Sequence, residues 1–265
     1  METLMQRRAF CGLSLAALGL AAAPPALADP ALALLAAADG VRNPPGSFSV
    51  VVNLAEFKAG ALAATTSMTV LARPSSDSGQ FNNLVRFNTP ARDAGKLLLR
   101  NGSDLWFFDP ASRASVRISP RARLLGQASN GDVLSTNLAR DYKAEIVGRE
   151  TVADDKNTAR ASVRLRLVAE RADVPYAEVD YWIDEANTRP LKAQFLTAER
   201  RLLKTAFFRR YEMQLGRERP TETVIVDGLD PQWITVMRSS EYRLRDVPQA
   251  WMQRDYLPRF TGQDE

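Results

Sequence analysis

The sequence predicts a mainly β fold, in which one antiparallel sheet of about ten or eleven strands curls strongly. Three observations carry this. From Ser47 onward apolar and polar residues alternate, the period of a strand with one buried face. Turn signals such as Asn101-Gly102, Asp109-Pro110 and Asp227-Gly228 punctuate the apolar runs at hairpin spacing. Helical patterns do not alternate with strands, which argues against a parallel sheet. Twist accumulates over many strands, so a sheet this wide curls and leaves room for a ligand.

The first segment, 1–28, reads as a secretory signal peptide and the remainder, 29–265, as a single domain. Arg7-Arg8 supplies a positive region, Leu13 to Ala23 a short apolar core, and Ala26-Leu27-Ala28 a small-residue cleavage site. The apolar run is too short to span a bilayer. Arg7-Arg8 fits either the general secretory route or the twin-arginine route, although Gln6 stands where the latter usually has a hydroxyl residue. Either route leads to the periplasm. Cleavage after Ala28 removes Cys11, the one cysteine, and the sequence has no histidine. That subtracts disulfides, cysteine nucleophiles, histidine bases and the usual zinc ligands, so no metal or cofactor is expected. The net charge is +4 over the whole chain. Its arginines are scattered without a dense basic cluster interleaved with aromatics, which gives no case for nucleic acid.

Pro30 to Ala38 is Ala/Leu-rich and reads as a short helix, ended by Gly40 and Pro44-Pro45, that plugs or caps the domain. Phe48, Val50, Val52 and Leu54 share one face of the first strand, and Leu62 to Val70 alternate along the second. A third strand holds Val85 and Phe87. Leu97-Leu98-Leu99, Leu105-Trp106-Phe107-Phe108 and Ala114 to Ile118 add three short runs. Pro120 to Gly126 then breaks the pattern and reads as an apolar flap, with Leu124 and Leu125 in a basic surround, over the sheet. Strands followed by such a flap suggest a covered cavity. A helical turn is expected within Val133 to Leu138. Strands resume at Tyr142, Thr158, Tyr176, Leu191, Leu202, Glu222 and Trp233, and Val247 to Phe260 forms an amphipathic tail. On the strand of Tyr176 to Asp184, Val179, Tyr181 and Ile183 oppose Asp180, Trp182 and Asp184.

The order of elements resembles the LolA-like outer membrane lipoprotein-sorting proteins, periplasmic lipoprotein carriers and their relatives. The likeness rests on Gly102-Ser103-Asp104-Leu105-Trp106-Phe107-Phe108-Asp109-Pro110 and Arg117-Ile118-Ser119. It continues through Tyr176 to Ile183, Arg189-Pro190-Leu191-Lys192, Leu202-Leu203-Lys204 and Val247-Pro248. The resemblance implies an open, incomplete antiparallel β-barrel with short covering helices that holds acyl chains in an apolar cavity. It departs at Ser129 to Leu134, where relatives often carry an acidic and aromatic segment.

Burial of acyl chains contributes about 0.8 kcal/mol per methylene and needs apolar surface without reactive groups. The candidates for cavity and flap are Trp106, Phe108, Leu124, Leu125, Trp182, Phe195, Phe207, Trp233 and Met237. The strand of Leu105 to Phe108 is apolar on both faces, so one face can line the cavity while the other packs under a cover. Lys204, Arg200-Arg201 and Arg209-Arg210 read as a solvated strand face, or as contacts to lipid headgroups. Three functions follow. The first is a monomeric carrier of the acyl chains of lipoproteins or lipids, meeting the membrane surface transiently, an inner-membrane exporter and an outer-membrane acceptor. The second is an adaptor or sensor that binds an envelope protein, favoured by a free edge strand and a small cavity. The third is an enzyme working through carboxylates such as Asp180 and Asp184, and it is the least supported, with no motif around them.

Overall fold

The computed structural model describes residues 29–262, so the segment read as a signal peptide lies outside them. One antiparallel sheet of 13 strands runs in the order β6-β5-β4-β3-β2-β1-β15-β14-β13-β12-β11-β10-β9 and does not close on itself. Its first arm comprises β1 (Phe48–Lys58), β2 (Ala61–Pro74), β3 (Phe81–Thr89), β4 (Leu97–Asn101), β5 (Asp104–Asp109) and β6 (Ala114–Arg117). The second comprises β9 (Tyr142–Ala153), β10 (Ala159–Ala169), β11 (Glu178–Asp184), β12 (Pro190–Leu196), β13 (Leu202–Gln214), β14 (Arg217–Asp227) and β15 (Trp233–Leu244). Pairing of β1 with β15 joins the arms. The count exceeds the expected ten or eleven because every apolar run, down to the four residues of β6, pairs in the ladder.

The flap is a small hairpin, β7 (Arg123–Leu125) with β8 (Ala128–Ser129), followed by 3-10 turns at Asn130–Val133 and Leu138–Arg140. It lies over the inner face of the sheet. Gly126 at its tip has φ +54, and a Cβ there would collide with Thr235 Oγ1 and press on Glu56. Glycine is therefore required both by the backbone and by the close approach.

A single helix, α1 (Pro30–Arg42), plugs the curl. Asp29 caps it by accepting from Ala31 N at 2.9 Å, and Ala31, Leu35 and Ala38 enter the core. The helix runs past Gly40 because Arg219, itself 1% exposed, donates to the carbonyls of Gly40 (3.2 Å) and Val41 (3.0 Å). A cation at the carboxyl end of a helix satisfies carbonyls that have no partner in the helix and opposes its dipole.

Two cores result. The large one fills the curl between α1, the flap and the inward residues of both arms. The small one lies on the convex side, where the tail, in 3-10 turns at Gln249–Met252 and Arg254–Arg259, covers β2 to β5. Val247, Trp251, Met252 and Leu257 there meet Leu71, Leu84, Leu97, Leu99 and Phe108. Strand β11 is buried on both faces, with Val179, Tyr181 and Ile183 in the large core. Arg164, Arg166 and Arg200 lie over Glu178 and Asp180, and the stems of such side chains shield backbone and carboxylates from water.

Candidate functional site

A cavity of about 100 Å³ lies between the second arm and its roof. Strand periodicity builds its wall: Tyr181, Phe195, Ala206, Phe208, Thr223, Ile225 and Met237 come from five consecutive strands. Register places them side by side, with Ala206 opposite Ile225 and Thr223 between Phe208 and Met237. The roof is the segment from Gly131 to Tyr142, with Pro175 and Tyr176 beside it and Arg42 at the end of α1.

Two sets of bonds hold the roof down. At the back, Arg42 Nη2 donates to Thr136 O and to Asp39 Oδ1, both at 2.8 Å. Asn43 Nδ2 reaches the same carbonyl at 2.8 Å, and Ala139 N donates to Asp39 Oδ2 at 2.8 Å. Asn83 of β3 clasps Ser135 by its N–H (2.9 Å) and C=O (3.0 Å). Burial raises the Asp39 carboxyl above the ordinary range, and the adjacent Arg42 opposes that rise. At the front, Lys204 of β13 pairs with Asp132 Oδ2 and donates to Gln127 O at 3.1 Å. Asp132 also accepts from Ser129 N (2.7 Å), Ser129 Oγ (3.0 Å) and Tyr176 Oη (2.9 Å). Burial pushes the phenols of Tyr142, Tyr176 and Tyr181 upward. They are protonated at neutral pH, and the hydroxyls of Tyr142 and Tyr176 donate to Tyr176 O (3.1 Å) and Asp132 (2.9 Å).

Of the residues singled out in the sequence, Phe195 and Met237 line this cavity. Leu124 and Leu125 pack, half-buried, against the large core beneath the flap. Trp233 stands at the start of β15, its Nε1–H donating to Glu56 at 2.7 Å and its ring 4.3 Å from the Arg123 guanidinium of the flap. The remaining four do not line this cavity. Trp106 and Phe108 lie under the tail, with Arg254 4.5 Å from the Trp106 ring. Trp182 has Lys192 and Arg164 near its ring at 4.3 and 5.1 Å, and it donates to Glu150 at 2.7 Å. Phe207 sits beside Lys192 and Val224 in the register. The reason is the two-residue period: Phe107, Tyr181 and Phe208, one position away, are the ones that face the large core.

Lys204 also departs from the solvated face expected for it, being 4% exposed. Asp180 and Asp184 form no acid–base pair. Asp180 is held by Arg164 (2.6 Å) and Arg200, and Asp184 accepts from Ala186 N (2.8 Å) within its turn. Sequence reasoning passed over Arg42, Phe208, Tyr176 and Asp132. Inward parity could have found Phe208, but nothing local marks residues that meet only after the chain folds. No cluster suited to a metal ion occurs among the described residues.

A family model described as an uncharacterized protein matches residues 79–259. No curated protein matches the chain. Among solved structures, a LolA superfamily protein from Nitrosomonas europaea is 31% identical, with a TM-score of 0.76 over 85% of this chain and 98% of its own. A putative outer membrane lipoprotein-sorting protein domain from Vibrio parahaemolyticus, 19% identical, has the same fold, with a TM-score of 0.72 over 86% of this chain and 98% of its own.

Proposed function

The chain belongs to the LolA superfamily, and from that premise we propose that it is a periplasmic, non-catalytic carrier that holds the acyl chains of lipoproteins or lipids and passes them toward the outer membrane. The observation that carries the reading is the roofed cavity, lined by Phe195, Phe208, Ile225 and Met237 and closed by polar bonds rather than by packing alone. Its volume, about 100 Å³, falls short of the roughly 300–1,000 Å³ of a ligand pocket. The closed state is therefore the unloaded one, and loading lifts the roof. The bonds that hold the roof are polar, so an incoming acyl chain exchanges them for burial of its methylenes.

Native mass spectrometry of the protein from periplasm, with lipid extraction, tests this. One acyl ligand per chain is the expected result. An empty protein that also refuses a fluorescent acyl probe overturns it.

One observation favours a second reading, an adaptor that binds an envelope protein. Strand β9 is a 12-residue sheet edge on which Ile146 and Val147 are 37% and 44% exposed. Such an edge can take up an extended peptide as a further strand. An empty cavity together with peptide binding at β9 would move the conclusion there.

A further inference from the structure

The cavity wall holds hydrogen-bonding groups that the protein itself does not use. Tyr181 lines the cavity from β11 and is 1% exposed, and among the described residues its hydroxyl has no hydrogen-bond partner. Arg42 lines it from the end of α1. Its Nη2 is committed to Asp39 and Thr136, while its Nε is buried and has no partner among the described residues. The two groups sense each other, since the guanidinium counters the rise in the Tyr181 phenol.

A buried donor left unpaired is costly, whereas phenylalanine would fill the same space without that cost. The neighbouring wall, Phe195, Phe208, Ile225 and Met237, offers no acceptor side chain. Three carboxylates lie nearby, and all are engaged elsewhere, Asp132 with Lys204, Ser129 and Tyr176. Asp39 sits on the Nη2 side of Arg42, and Asp141 is held by Gln80 (3.0 Å) and Arg171 (3.3 Å). What Tyr181 Oη and Arg42 Nε lack is an acceptor, and a plain hydrocarbon cannot supply one.

We propose that the cavity takes an acyl chain bearing a carboxyl oxygen, as free acid or as ester, and that Tyr181 Oη and Arg42 donate to that oxygen. This rests on the carrier reading and deepens it by assigning the groups that meet the acyl carboxyl oxygen. The hydroxyl is closed off while the roof is down, so its partner enters with the cargo. A charged guanidinium favours carboxylate over ester, and this difference separates a free fatty acid from a lipid-bound acyl group.

The test is displacement of an uncharged naphthylamine probe from the exported protein by dodecanoic acid, methyl dodecanoate and dodecane. The expected result is that acid or ester competes at least about tenfold better than dodecane, the scale of one or two hydrogen bonds. Acid ahead of ester identifies a free carboxylate as the cargo group, and equal strength an ester carbonyl. In Tyr181→Phe the preference for acid or ester over dodecane shrinks, each competitor being measured against the variant's own probe affinity. A second readout is the carbonyl stretch of bound carbon-13 ester in the unaltered protein, which donated hydrogen bonds move to lower frequency. Equal competition by dodecane, an unchanged preference in Tyr181→Phe, or an unshifted stretch overturns the proposal and leaves the carrier standing. Failure of the probe itself to bind overturns the carrier reading as well.

Discussion

Lys204 and Asp132 form an ion pair between sheet and roof in which the two side chains are only 6% and 10% exposed. The lysine also lies 4.9 Å from the Tyr176 ring and 5.3 Å from the Phe195 ring, so the pair sits where the flap meets the cavity wall. Removing one partner of a buried pair strands the other charge. Lys204→Ala is therefore expected to lower stability by about 3–5 kcal/mol in denaturant unfolding. Lys204→Met with Asp132→Asn, which strands no charge, should recover most of that loss. The same double variant should take up an acyl probe faster than the unaltered protein, because the front of the roof is no longer held by charge.

Gly126 makes a sharper test of the flap's position. With φ +54 and Thr235 directly in the path of a Cβ, Gly126→Ala has both a backbone and a steric cost. A loss of about 1–3 kcal/mol is expected from such combined strain. Gly60, at φ +79 with nothing within 4 Å, is the control. Gly60→Ala should cost only about 1 kcal/mol, the backbone share. Equal melting shifts for the two variants would mean the flap does not rest on β15.

Arg219 anchors the plug. It donates to Gln214 O as well as to the two carbonyls of α1, three acceptors in a fork that lysine cannot match. Arg219→Lys and Arg219→Met should each destabilise by about 1–3 kcal/mol through carbonyls left unpaired. Hydrogen exchange should accelerate in residues 30–42 before it does in β13 or β14. Uniform acceleration throughout the chain would argue against a local anchor.

The convex face supplies a pH prediction. Hydrogen bonds from Arg166 hold the Glu178 carboxyl below its usual range, burial opposes this, and Arg200 adds to the lowering. A carboxyl whose folded-state affinity for protons is depressed stabilises the protein above its unfolded pKa, near 4.3. That contribution is lost as the pH falls through the lower folded value. Glu178→Gln should therefore be less stable than the unaltered chain at neutral pH, and the gap should narrow on acidification below about pH 4. A gap independent of pH would place the effect in packing rather than charge.

The strands were legible because alternation is a local property. The flap Pro120 to Gly126 was legible because it interrupts that alternation with two leucines, but the cavity's roof is the later segment Gly131 to Tyr142. What the sequence left open was parity. Trp106 and Phe107, or Phe207 and Phe208, are equally apolar neighbours, and only the tail over β2–β5 or the register with β14 decides which looks inward. Lys204 shows the same limit for charge. Beside Arg200-Arg201 it reads as solvated, yet its partner Asp132 lies 72 residues away and arrives only when the flap folds back. Arg42 and Tyr181 likewise meet only through α1 and β11, elements far apart in the chain.

The two ends of the long sheet are unequal, four residues in β6 against 12 in β9. That inequality limits how copies could polymerise. Head-to-tail stacking needs two compatible edges on every molecule, and β6 is too short to template β9. Meeting through β9 alone uses up the extendable edge of both partners at once, so growth stops at a pair related by a two-fold axis. A sheet left unclosed thus avoids becoming the seed of a fibre.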